Sequence, residues 1–395
     1  MQSPAFSRRS FFRYAAGASA LAAMPIVNEG QLAYAQRHVR LGDPNKGVHI
    51  DSNENPLGPC DSARQAIIDM APRGGRYFFN MENEVVELFA KQEGIDPSWV
   101  RVYAGSSEPI AYTVLAFTSK SKPLVLADTT YEAPVWAAKA AGNPVVTVPL
   151  ADPKGAAAHD IKRMLAASST PGVFYICNPN NPTGTCTPRA DLEHAASAAP
   201  KDSVLLIDEA YIHFCDQPRS LDFVKEGKNV IVLRTFSKLY GMAGIRMGLA
   251  IGRPDLLEKL DVFGRNPLPI TAMAATKASL QETGLVEARK KIIADTRTQS
   301  ISWLKQQGYA VTPSESNCFM LDTRRPGKEV IAAMAAKDVY IGRIWPTFPT
   351  QVRITVGTPE EMEAFQKAFN EVMAGNTAGL ALPEQPNTTR MPLLS

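Results

Sequence analysis

The stretch Thr235-Phe-Ser-Lys-Leu-Tyr-Gly-Met-Ala-Gly-Ile-Arg-Met-Gly248 follows a β-branched apolar run, Val230–Leu233, and opens on a serine-lysine pair. Apolar neighbours lower the pKa of an amine, and a neutral lysine is the nucleophile that forms Schiff bases with carbonyl compounds. Lys238 is therefore a candidate anchor for a carbonyl group, although most lysines are solvated surface charges. What decides between the two readings is the company the stretch keeps.

Working outward, short apolar or β-branched runs recur at Val100–Ala104, Pro123–Ala127, Val145–Val148, Val173–Cys177, Val204–Ile207, Val230–Leu233 and Leu249–Ile251. Helical patterns such as Pro109–Phe117 and Pro134–Ala141 lie between several of them. This alternation predicts an α/β fold, a mostly parallel central sheet flanked by helices. From about Ile270 onward helical patterns dominate, with strands expected at Cys318–Asp322 and Val352–Val356 and a helix at Pro359–Met373. The expected division is an N-terminal arm over 36–72 that contributes to the small domain, a large domain over 73–270, a smaller α+β domain over 271–375 and a flexible tail over 376–395.

In open α/β sheets ligands bind beyond the carboxyl ends of the strands. Those positions carry Gly105-Ser106-Ser107-Glu108, a glycine turn opening a helix whose free N–H groups suit a phosphate; Asn178-Pro-Asn-Asn-Pro-Thr-Gly184; Asp208-Glu-Ala-Tyr211; and Ser237-Lys238 with Arg246 eight residues on. Each has a plain alternative, as a helix cap, a turn or a capping acid. Their joint occurrence, each past a strand, argues for one site.

Taken together, these motifs resemble the fold-type I pyridoxal-phosphate (PLP) enzymes of aminotransferase class I/II, and within them the histidinol-phosphate aminotransferase-like branch. The likeness runs from Asn53-Glu-Asn-Pro-Leu-Gly-Pro59 through Arg76-Tyr77 to Val352-Arg-Ile-Thr-Val-Gly357. It implies that Lys238 holds PLP as a Schiff base and moves the proton, that Asp208 pairs with the pyridine nitrogen, and that Asn181 and Tyr211 bond the phenolic oxygen. It places Tyr131 against the ring, with Ser106, Ser107, Ser237 and Arg246 on the phosphate. Tyr77 is implied to reach the phosphate of a partner subunit, hence a homodimer with shared sites. Arg353 is implied to take the substrate carboxylate, with Arg343 and Asn55 as further substrate contacts. Trp345, in the stretch Ile344–Phe348 between the two arginines, is read as lining the side-chain pocket with aromatic surface, a placement that favours an aromatic or apolar amino donor. The implied substrates are an L-amino acid, aromatic or histidinol-phosphate-like, and a 2-oxo acid. The same scaffold also runs oxidase, decarboxylase and lyase chemistry.

Composition narrows the class further. With 395 residues, 45% hydrophobic and 21% charged, the chain can bury a large core. A net charge of +3 with scattered basic residues gives no nucleic-acid footprint. Cys60, Cys177, Cys186, Cys215 and Cys318 show no metal-ligand spacing, so neither a metal site nor a disulfide framework is expected. One further element stands apart. Ser7-Arg8-Arg9-Ser10-Phe11-Phe12, an apolar run from Tyr14 to Val27 and Ala33-Tyr34-Ala35 read as a cleavable twin-arginine export signal over residues 1–35, with no membrane anchor left after cleavage. Its removal takes away Arg8, Arg9, Arg13 and Glu29 and leaves a net charge of +1.

Overall fold

The computed structural model describes residues 46–264 and 266–375. The export signal and the tail expected from the sequence lie outside the described residues. Strand β1 (Val48–Ile50) precedes helices α1 (Asp61–Met70) and α2 (Asn80–Glu93). Alternation follows, through β2 (Val100–Tyr103), α3 (Ser107–Phe117), β3 (Leu124–Ala127), α4 (Ala133–Ala140), β4 (Val145–Val148), α5 (Ile161–Ala166) and β5 (Val173–Cys177). It continues through α6 (Arg189–Ala198), β6 (Val204–Asp208), α7 (Leu221–Lys225), β7 (Val230–Thr235) and β8 (Gly248–Gly252). The remainder comprises α8 (Pro254–Asp261), α9 (Ile270–Gln281), α10 (Leu285–Gln306), β9 (Ala310–Val311), β10 (Cys318–Asp322), α11 (Gly327–Ala335), β11 (Val339–Ile341), β12 (Gln351–Thr355) and α12 (Pro359–Ala374).

Seven strands form one sheet in the order β2-β8-β7-β6-β5-β3-β4. All neighbours are parallel except β8, which runs antiparallel to β7 and to β2. Every residue of β3, β5, β6, β7 and β8 is buried. Strands buried on each face need helices on each face, which explains why these segments read as unbroken apolar runs rather than as alternating ones. The expected α/β architecture, a mostly parallel sheet flanked by helices, is the one observed.

The C-terminal third builds a second layer. Its three-stranded sheet is antiparallel, in the order β12-β10-β9, with Arg353 of β12 opposite Met320 of β10. The N-terminal segment joins this layer: β1 pairs in parallel with β11, Val48 opposite Val339, while α1 packs against α9. Helix α12 starts on a capping box, in which Thr358 Oγ1 accepts from the Glu361 N–H and the Glu361 carboxylate accepts from the Thr358 N–H. Such a cap contributes about 1 kcal/mol and fixes where the chain turns away from β12. Among the described residues no helix is long and apolar enough to cross a membrane.

Candidate active site

Strand β2 ends at Tyr103, and Gly105 turns the chain into α3 with φ of +92°. A Cβ at this glycine would lie 2.1 Å from Nη2 of Arg246, so only glycine lets the turn meet that guanidinium. Arg246 itself adopts a positive φ of 73° and donates from Nη1 to Ser237 Oγ (3.3 Å) and from Nη2 to the Ala104 carbonyl (3.1 Å). Ser106, Ser107, Ser237 and Arg246 are thereby gathered at the first turn of α3. Ser107 Oγ is also 3.3 Å from Tyr131 Oη. Free backbone N–H groups, a helix dipole, hydroxyls and a cation at one point make an anion site.

Three parallel strands deliver the next side chains. Asp208 ends β6, is only 2% exposed, and accepts from Tyr175 Oη at 2.9 Å and from the Ala210 N–H at 3.1 Å. Its neighbour Glu209 points elsewhere, into a buried ion pair with Arg234 at 2.7 Å and a bond from the Ser220 N–H. Of two adjacent acids, one is thus structural and the other faces the site. Lys238, past β7 and 6% exposed, carries its amine 5.8 Å from the Tyr211 ring centre. Tyr211 Oη accepts from Asn53 Nδ2 at 3.0 Å, and Asn181 Oδ1 accepts from Arg353 Nη1 at 3.0 Å. Burial raises the Tyr175 and Tyr211 hydroxyl pKa values well above the ordinary, and the Asp208 charge pushes Tyr175 further. Each therefore remains a protonated donor.

The second layer supplies two arginines. The Gly342 N–H donates to the Arg353 carbonyl and the Arg353 N–H to the Arg343 carbonyl, so the two residues are clamped side by side. Arg353 Nη2 donates to the Asp51 carbonyl at 2.6 Å, while Arg343 is ion-paired to Glu132. Burial lowers the Arg343 pKa, with Glu132 opposing. Trp345 was expected to line the pocket with aromatic surface. Instead it is 2% exposed and packs with Phe348, Leu150 and Met320, serving as a platform under Arg343 at 4.2 Å and Arg353 at 5.6 Å. The Nε atoms of both arginines and Nε1 of Trp345 are buried without a partner among the described residues.

Asn55 is placed differently from its expected role, and Tyr77 stands apart from the site of its own chain. Asn55 is committed within the chain, since its Nδ2 donates to the Leu239 carbonyl at 2.9 Å and its Oδ1 accepts from the Leu57 N–H. It steadies the residue after Lys238 rather than presenting a free amide. Tyr77 is 64% exposed and stacks on Phe79, and its own chain does not bring it to the site.

Comparison with known proteins matches this arrangement. A sequence model of the family described as aminotransferase class I and II fits residues 45–369. The chain belongs to the class I and II aminotransferases. It is 30% identical to a histidinol-phosphate aminotransferase of Moorella thermoacetica over 90% of this chain and 92% of that one. It is 33% identical to an aromatic amino acid aminotransferase of Rhodococcus jostii over 85% of this chain and 93% of that one. A solved histidinol-phosphate aminotransferase of Sinorhizobium meliloti, in complex with pyridoxal-5′-phosphate, superposes with a TM-score of 0.77 at 25% identity, covering 94% of this chain and 98% of that one.

This aminotransferase is a PLP-dependent enzyme, and its own residues fit the cofactor. The cradle of Gly105, Ser106, Ser107, Ser237 and Arg246 suits a phosphate. The buried Asp208 carboxylate suits a protonated ring nitrogen, and Asn181 and Tyr211 supply polar atoms for a phenolic oxygen. The sequence reading missed Tyr175, Asn53 and Glu132 as parts of this aminotransferase site. Tyr175 had a usable signal: a tyrosine in the middle of a fully buried strand needs a hydroxyl partner, and Asp208 ends the adjacent strand.

Proposed function

We propose that this enzyme moves the α-amino group of an L-amino acid with an aromatic side chain to a 2-oxo acid. One observation carries the choice of donor: Arg343 is neutralised by the Glu132 carboxylate, while the partners of Arg353 among the described residues, the Asp51 carbonyl and Asn181 Oδ1, carry no charge. A buried guanidinium whose partners are uncharged gains most from a carboxylate, since hydrogen bonds between charged groups are about twice as strong as neutral ones. One anionic group is thus bound strongly and a second is not, which favours donors with an uncharged ring over dicarboxylates. Relatives named aromatic amino acid aminotransferases at 31–33% identity agree with this reading.

The roles follow from position. PLP, when bound, supplies an electron sink for the electrons left at the substrate Cα on proton loss. Lys238, whose buried amine lies beside the Tyr211 ring, would hold the cofactor and move the proton at the substrate Cα. The Asp208 carboxylate, aimed by Tyr175 and the Ala210 N–H, holds the proton on the ring nitrogen. Arg353 orients the substrate through its carboxylate, and Asn181 fixes that guanidinium.

A donor panel tests this reading through conversion of the bound cofactor to its amine form in single turnovers. L-tyrosine and L-phenylalanine should react faster than L-aspartate by about 10²-fold or more. Faster conversion by L-aspartate or by L-histidinol phosphate would overturn it. We further propose a homodimer in which the exposed Tyr77 serves the partner's phosphate site, and export through the Arg8-Arg9 signal. Sedimentation at dimer mass supports the first and monomer mass opposes it. Precursor retained inside the cell after replacing Arg8 and Arg9 by lysine supports the second, and undiminished export opposes it.

A further inference from the structure

Cys186 and Cys215 approach each other across the two segments that carry Asn181 and Tyr211. Their Sγ atoms and a carboxylate oxygen of Glu315 all lie within 4.8 Å of one another. Cys186 follows the Asn178–Gly184 turn that presents Asn181, and Cys215 stands four residues after Tyr211. Both segments are pinned. The Glu315 N–H donates to the Gly184 carbonyl, the Thr187 N–H donates to Asn178 Oδ1, and Lys290 of α10 donates to the Cys215 carbonyl. Cys186 is half-buried and Cys215 is buried, so Cys186 is the more accessible residue of the pair.

Electrostatics favour thiolate at the inner sulfur. The Cys186 S–H donates toward Cys215 and lowers its pKa, with the Gln217 N–H assisting, and the same contact together with burial raises that of Cys186. The Arg297 guanidinium from α10 interacts with the charges of both sulfurs and of Glu315. A shared proton and an adjacent cation are the setting in which a thiol pair becomes reactive. The other three cysteines differ. Cys177 donates to the Pro179 carbonyl, Cys318 to the Pro182 carbonyl, and Cys60 contacts the Ser62 and Ser279 hydroxyls; burial raises the pKa of Cys177 and Cys318.

We propose that Cys186 and Cys215 form a reversible disulfide that ties the Asn181 turn to the Tyr211 segment, with a disulfide compound such as glutathione disulfide as oxidant. Cys186, its proton passed to the Cys215 sulfur, attacks one sulfur of glutathione disulfide and expels one glutathione thiolate. Cys215 then loses its proton and attacks the Cys186 sulfur of the mixed disulfide, expelling the second thiolate. Two protein thiols are oxidised and one glutathione disulfide is reduced to two glutathione thiols, which take up the two protons. A divalent metal on the same atoms is the weaker reading, because three donors fall short of the usual four and Arg297 already supplies positive charge there.

The test uses the full chain, incubated at graded ratios of glutathione disulfide to glutathione, with free thiols counted after denaturation. The count should fall from five to three. Peptides containing Cys186 and Cys215 should be joined, and Tm should rise by about 5 °C, reversed by dithiothreitol. Cys186→Ser and Cys215→Ser should each abolish the joined peptide and the Tm response. Five thiols persisting under oxidising ratios, or a glutathione adduct at Cys186 without internal closure, would overturn the proposal. One equivalent of bound zinc, lost in Glu315→Gln and in Cys186→Ser, would overturn it in favour of a metal centre. None of these readouts depends on turnover.

Discussion

At the cofactor end of the site, Asp208, Asn181 and Lys238 each stand at or just past the end of a parallel strand, on β6, β5 and β7. At the substrate end, Arg343 and Arg353 come from the second layer, and Arg353 reaches Asp51 across 302 positions of sequence and Asn181 across 172. The first end inherits its geometry from a sheet buried on each face, so local pattern and function coincide. The second is assembled from segments that meet only once two layers have packed. Preorganisation at the cofactor end rests on strand register, and at the substrate end on a tryptophan platform and a carboxylate pair.

The comparison can be broken at either end. Asp208→Asn should lower kcat by about 10²-fold while altering the amino-acid KM little, because a hydrogen bond to a charged group is worth up to about 3 kcal/mol and acts here on the reacting electrons. A matching rise in KM would place Asp208 in substrate binding instead. Arg353→Lys should reduce kcat/KM by about 30-fold, chiefly through KM, since the two-pronged contact is lost. A loss confined to kcat would contradict the assignment. Tyr175→Phe removes one of the Asp208 donors and should cost about 10-fold in kcat, leaving cofactor content near that of the parent. An unchanged kcat would make that contact structural only.

The last effect concerns stability rather than turnover. His159, whose Nδ1 is 3.0 Å from Thr187 Oγ1, has its pKa pushed down from 6.5 to about 3 by burial. The unfolded chain therefore takes up a proton that the native state refuses. The contribution is intact above about pH 6.5 and is lost as pH falls toward 3, at about 1.4 kcal/mol per pH unit. His159→Gln should flatten that slope by the same amount between pH 6 and 4 in urea unfolding. An identical slope in parent and variant would contradict the burial argument.

The same contrast explains what the sequence disclosed. The apolar runs and the turn residues after them revealed the sheet and most cofactor contacts, because each signal spans a few neighbouring positions. The run Leu249–Ile251 carried no mark of direction, so the reversal of β8 came only from its pairing with β2 and β7. Strands β1 and β11 have three residues each, too few for a period to register. Trp345 was legible as an aromatic near two arginines but not as their buried support, which depends on Ala127, Leu150 and Met320 packing under it. Asn55 was legible as part of a motif, yet its bond to the Leu239 carbonyl spans 184 positions. The Cys186–Cys215 approach has no spacing signature, since helix α6, strand β6 and the turns around them lie between.

The central claim is that Lys238, on the turn after β7, holds the cofactor covalently. Borohydride treatment of the resting enzyme, followed by peptide mass mapping, tests it most directly. The account predicts cofactor mass fixed on the peptide containing Lys238, with none fixed in Lys238→Ala. Label on a different lysine, or equal labelling of the variant, would contradict it.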